Sequence, residues 1–352
     1  MSSKKYIEKT IKYTVAILVV IAIIMIVIDP FTHYHMPYFG MGTVATDERT
    51  SLVGIAKHDY YETALIGSSM SENFVDSWFE YGSFGTSADK FCLQGAHFDD
   101  YEVILDEVIK HPELKNIVFC LDNYILTDDP SEQEVTIPEY LSNDSIFDDA
   151  KYLWNRGALC ELLPVFIINN IKEHGSDDNA YVWENLFPYG EAAAVMNYVT
   201  YRPDGPKEKK EYDYFFENAD LFLSKFERYI KARPDVKFII YWPPYSALFW
   251  DYSKLNGDLE AEICMEEKVC QSLLSYENVE IYYFQDDFDT ITNLDNYRDY
   301  SHYKQAINYK MYKAMRDGST KLTNESYYDR LLSVYEFGMT YDAESVISKY
   351  RQ

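Results

Sequence analysis

The stretch "LIGSSMSENF", Leu65 to Phe74, carries an apolar, strand-like run into a glycine and two serines, and far downstream "NYRDYSHYKQAINYKM" sets Asp299 three residues before His302. A carboxylate at that spacing reaches around one turn of chain to the imidazole. It fixes the ring's tautomer and stabilises its cation, leaving the other ring nitrogen to take a proton from a hydroxyl. Ser69 supplies such a hydroxyl, and the chain order Ser69, Asp299, His302 gives a nucleophile, an orienter and a base. Each motif also has a plain structural reading. Ser69 and Glu72 have the S-x-x-E spacing of a capping box, in which the serine oxygen accepts a backbone N–H, and Asp299 or Ser301 suits the cap of the helix that follows. Neither stretch alone chooses between the two.

The elements around these residues decide whether they can meet. From about Ser51 the chain alternates short apolar runs with amphipathic ones, the pattern of strands linked by helices in a mostly parallel sheet. "TALIGSS", "KFCLQG", "NIVFCLDN", "KFIIYWPPY" and "VEIYYF" read as five strands. "ENFVDSWFEYG", "YEVILDEVIKHP", "LFLSKFERYIKARP" and "HYKQAINYKMYKAM" read as helices. The fold class is therefore α/β, a three-layer doubly wound sandwich on a five-stranded, mostly parallel sheet. In such sheets ligands bind beyond the carboxyl ends of the strands, and Ser69 stands at the end of the first.

Taken together, the two blocks resemble the SGNH or GDSL-like hydrolases, whose first block is Gly-Asp-Ser after strand one and whose last is Asp-x-x-His before the terminal helix. "GSS" (Gly67, Ser68, Ser69) and "DYSH" (Asp299 to His302) stand in those places, and the resemblance runs from about Thr63 to Met315. It implies the flavodoxin-like fold of that family and an oxyanion hole formed by Ser69, Gly95 of "LQGAHF" and Asn123 of "LDNY". Ser68 replaces the usual aspartate, as in a cell-surface branch that works beside membrane-bound acyltransferases. "LD" precedes Asn123 where the family has Gly-x-Asn, so Asp122 is the other candidate for that corner. The resemblance further implies an acyl-enzyme mechanism without metal or organic cofactor. Its implied substrate is an acylated cell-envelope glycan or teichoic acid, and its implied partner a membrane-bound acyltransferase. The competing class is a non-catalytic surface module that binds or organises a cell-wall polymer.

Composition limits the alternatives. At 352 residues and 47% hydrophobic content the chain can bury a full core. A formal charge of −26 repels nucleic-acid phosphates. Cys92, Cys120, Cys160, Cys264 and Cys270 are odd in number and lack CxxC spacing, so neither a disulfide framework nor a zinc site is signalled. His33 and His35 form an H-x-H pair without neighbouring ligands and read as exposed or interfacial. Asn143 and Asn324 match the glycosylation sequon by chance.

The uncharged run "YTVAILVVIAIIMIVI", Tyr13 to Ile28, extended by Phe31, suits a transmembrane anchor. Lys4, Lys5, Lys9 and Lys12 precede it, which keeps the amino terminus cytoplasmic and exports the remainder. No small-x-small cleavage site follows. The expected organisation is a cytoplasmic tail (1–12), the anchor (13–31), a connector (32–50), a folded domain (51–320) and a helical tail (321–352). A helical insertion at about 131–210 is expected to cap the sheet rim.

Overall fold

The computed structural model describes residues 3–38, 41–43, 48–128, 134–143, 145–172 and 181–351. Five short strands form: β1 (Thr63–Gly67), β2 (Ala88–Cys92), β3 (Asn116–Cys120), β4 (Lys237–Trp242) and β5 (Val279–Tyr283). They make one parallel sheet in the order β2-β1-β3-β4-β5, with Thr63 opposite Ala88 on one side and Asn116 on the other. β1 and β3 are buried at every residue. This explains why both read as continuous apolar runs without alternation.

Parallel neighbours need long crossovers. Helix Phe98–Val108 joins β2 to β3, and the long connection from β3 to β4 ends in helix Phe216–Ala232. Phe98, Phe119, Phe222 and Phe226 stack where these two helices meet the sheet, with ring centroids 4.8 to 6.4 Å apart. Each fully buried phenylalanine contributes about 1.5–3 kcal/mol. Between β4 and β5 lie two helices, Ala247–Asn256 and Leu259–Leu273, where the sequence reading named none.

The connection from β1 to β2 differs from expectation. In place of an α-helix over "ENFVDSWFEYG" there is a run of turns followed by 3₁₀ segments Asp76–Phe79 and Gly82–Phe84. Carbonyls along this connection are taken by distant side chains. Tyr303 and Asn308 donate to the Met70 carbonyl, Lys90 Nζ to those of Glu72 and Phe74, and Gln305 to that of Asn73. Ser69 therefore caps no helix. The Glu72 carboxyl is turned instead to Gln94 Nε2, 2.9 Å away.

Helix α1 (Ser3–Ile28) is long and apolar enough to cross a membrane. At its end the Asp29 carboxylate accepts the backbone N–H groups of His33, Tyr34 and His35 and folds the connector into a tight cap. The two histidines are partly buried and diverge. His33 Nε2 faces Asp149 at 3.4 Å, while the His35 ring contacts the Ile26 and Met36 carbonyls. The described part of the insertion is helical, including Ala150–Leu153, Leu163–Lys172 and Glu191–Tyr201; residues 131–133, 144 and 173–180 lie outside the described residues. In the tail, helix Tyr327–Thr340 packs on Leu259–Leu273, where a Cβ on Gly338 would come within 2.9 Å of Leu259.

Candidate active site

The strand order reverses at β1, which has β2 on one side and β3 on the other. Chains leaving adjacent strands at such a point diverge and open a crevice. Here the loops after β1, β2 and β3 bring Ser68, Ser69, Gly95 and Asp122 to one cavity of about 550 Å³. Gly67 makes the turn possible. A Cβ there would collide with the Ser71 side chain at 2.1 Å and with Cys120 Cβ at 2.6 Å, so the loop folds back over the strand end only because no side chain intervenes.

On the far wall, Tyr297 and Tyr303 bridge to close a tight loop, and the Arg298 N–H donates to the His302 carbonyl. Asp299 thus faces back onto its own loop. It accepts the N–H groups of Ser301 (2.9 Å) and His302 (2.7 Å), and its Oδ2 lies 2.8 Å from His302 Nδ1. Arg298 Nε donates to the same Oδ2 at 3.1 Å. Burial alone would push this carboxyl up; the bond and charge of His302 and the two backbone donors override it and hold Asp299 well below the usual carboxylate range. The helix that follows starts at Gln305, so Asp299 and Ser301 do not cap it.

Ser69 Oγ lies 2.8 Å from His302 Nε2. With the Nδ1 proton donated to Asp299, Nε2 is the acceptor and the serine hydroxyl the donor. The side chains of His302 and Asp299 are 22% and 15% exposed, and Ser69 is half-buried, so the hydroxyl is open to the cavity yet shielded from bulk water.

Among the described residues the backbone N–H groups of Ser69 and Gly95 have no hydrogen-bond partner. Gly95 has φ +57° and nothing within 4 Å of where a Cβ would stand. The structure does not bring Asn123 to this place. Its Nδ2 donates to Glu266 at 3.0 Å, its N–H donates to Tyr245 OH, and the residue is buried outside the cavity lining. Asp122 occupies that corner, accepting from Ser68 Oγ at 2.8 Å and from Tyr245 OH. Burial pushes its carboxyl up, opposed by these two bonds.

Asn123→Ala is accordingly expected to destabilise the protein by about 1–3 kcal/mol, because it leaves Glu266 short of a donor in the core. Activity per folded molecule should change little, whereas loss of an oxyanion donor typically costs about 10²–10³-fold. Urea denaturation alongside titration of reactive sites separates the two.

Several residues around the site had no individual sequence signal. Trp183, from the insertion, donates its indole N–H to the Ser69 carbonyl at 3.2 Å and lies edge-on to His302. Arg298 is clamped over Trp183 and Phe187 at 4.3 and 4.1 Å. Asn197 and Tyr201, also from the insertion, line the cavity beside Tyr124 and Tyr300, whose hydroxyls lie 3.1 Å apart. The aromatic cluster of "YVWENLFPYG" was the one hint of this wall.

Compared with known protein families, the chain matches no family model, and no curated protein matches it.

Proposed function

We propose that the protein is a membrane-anchored serine acyl-ester hydrolase or O-acyltransferase of SGNH type, acting outside the cytoplasm on cell-envelope glycans or teichoic acid. The observation that carries this reading is the chain of contacts from Ser69 through His302 to Asp299, opening on a cavity that also holds the unpaired N–H groups of Ser69 and Gly95. In the proposed reaction Ser69 Oγ attacks the acyl carbonyl while its proton passes to His302 Nε2. The two N–H groups receive the oxyanion. Collapse expels the alcohol, which takes the proton from His302 and leaves an acyl-serine. Water or a glycan hydroxyl then attacks with His302 again as base, giving hydrolysis or transfer.

The strand order β2-β1-β3-β4-β5, taken with the rule that parallel crossovers are right-handed, supports reading the fold as the three-layer arrangement of the SGNH type. No metal or organic cofactor takes part in these steps. A membrane-bound acyltransferase as partner rests on family analogy alone. The tyrosine-rich wall of the cavity suits a sugar ring.

A fluorophosphonate probe tests the reading directly. The full-length protein should be labelled and Ser69→Ala should not. Equal labelling of both, or no labelling of the folded wild type, would overturn it and favour a polymer-binding module.

A further inference from the structure

The insertion contains a second apolar surface that the proposed site does not use. A π-helical turn, Ala158–Leu162, runs directly into helix Leu163–Lys172, and Ala158–Ile168 is apolar enough to stand out from the other helices of its length. An amphipathic helix of a globular domain buries its apolar side, and here Phe166 is buried. Ile168 and Ile171 are nevertheless 48% and 78% exposed, comparable to Val19 of α1 at 50%. The face runs from Val165 to Ile171 and is preceded one turn earlier by Glu161, which marks its amino-terminal limit.

The turn that leads into this face packs on α1. Ile21 and Met25 of α1 cluster with Ala158, Leu159, Leu162 and Leu163, and Trp154 donates its indole N–H to the Leu18 carbonyl at 3.1 Å. Ile21 and Met25 precede Ile28 by about 10 and 5 Å along the helix axis at 1.5 Å per residue. That is the depth, roughly 5–10 Å, at which interfacial helices rest in a membrane. If α1 spans the bilayer, whatever packs on its last two turns lies at that depth too. Exposed isoleucines beside a lipid-facing helix then meet acyl chains and not water.

We propose that the face from Val165 to Ile171 is a second membrane element, embedded beside α1 in the leaflet on the domain's side and covered there by lipid acyl chains. The inference rests on the reading of α1 as a transmembrane anchor. Two attachments in place of one hold the folded domain flush with the membrane and restrain rotation about the connector.

The test uses the full-length chain with Cys160→Ser and Cys264→Ala, reconstituted in phosphatidylcholine–phosphatidylglycerol vesicles. A polarity-sensitive fluorophore is attached at Ile168→Cys, Ile171→Cys, Val19→Cys or, as an aqueous control, Tyr81→Cys. The expected result is blue-shifted emission at Ile168 and Ile171. Their quenching by acyl-chain-brominated lipid should match that of the Val19 probe, with no quenching by aqueous iodide. A Val19 probe in lipid with both insertion probes in water would overturn the second element and leave the anchor standing. All three probes in water would overturn both.

Discussion

Ser69→Ala and His302→Ala are each expected to lower kcat/KM for a generic ester such as p-nitrophenyl acetate by about 10³-fold or more, with the double variant no slower than either single one. The reason is geometric. The 2.8 Å contact between Ser69 Oγ and His302 Nε2 makes the two side chains one device. A serine without its base is a weak nucleophile, and an imidazole without the serine has nothing to activate. Whatever rate remains should come from binding and from the Ser69 and Gly95 N–H groups, which alanine at position 69 preserves. Multiplicative losses in the double variant would mean that Ser69 and His302 act independently, and the proposed mechanism would fall.

Asp299→Asn is expected to reduce kcat by roughly 10³–10⁴-fold with KM little changed. Asp299 contacts His302 Nδ1 at 2.8 and 3.1 Å while also accepting two backbone N–H groups and the Arg298 guanidinium. An asparagine that turned its NH₂ toward Nδ1 would favour the tautomer with the proton on Nε2, the atom that must receive the serine proton. The same substitution should change acid stability. The folded-state pKa of Asp299 lies below its ordinary value of 3.8, so within the window below that value the unfolded chain binds the proton more tightly than the folded one. The stabilisation is therefore present above about pH 4 and lost as pH falls toward the folded value. Wild-type thermal unfolding should show a steeper decline below pH 4 than Asp299→Asn, whose amide does not titrate. Parallel declines in the two proteins would remove Asp299 as the depressed carboxylate.

Most of the α/β architecture was legible from local pattern. The strands that became β1, β3, β4 and β5 are runs of β-branched and aromatic residues, and burial on both faces accounts for their lack of alternation. The helix after β2 and the long one before β4 follow from apolar spacing with closing prolines. The segment after β1 did not follow its pattern. "ENFVDSWFEYG" has adequate helical spacing, but Lys90 and Gln305 offer the carbonyls of its first turn better-placed donors than its own N–H groups. Asn123 was placed at the oxyanion by analogy of position. Its backbone does follow the end of β3, yet its side-chain amide bonds Glu266 in the core.

The sequence by itself determined the interactions that close over a few residues. These are the apolar α1, the strand and helix alternation, and the Asp299–His302 pair with its separation of three. Tertiary structure alone decided the contacts that assemble the site. Ser69 and His302 are separated by 233 positions, Asn123 and Glu266 by 143, and Trp183 and Ser69 by 114. Periodicity and propensity report on neighbours along the chain. Which donor reaches which acceptor across such separations is fixed only when the whole sheet closes and each buried polar group must find a partner.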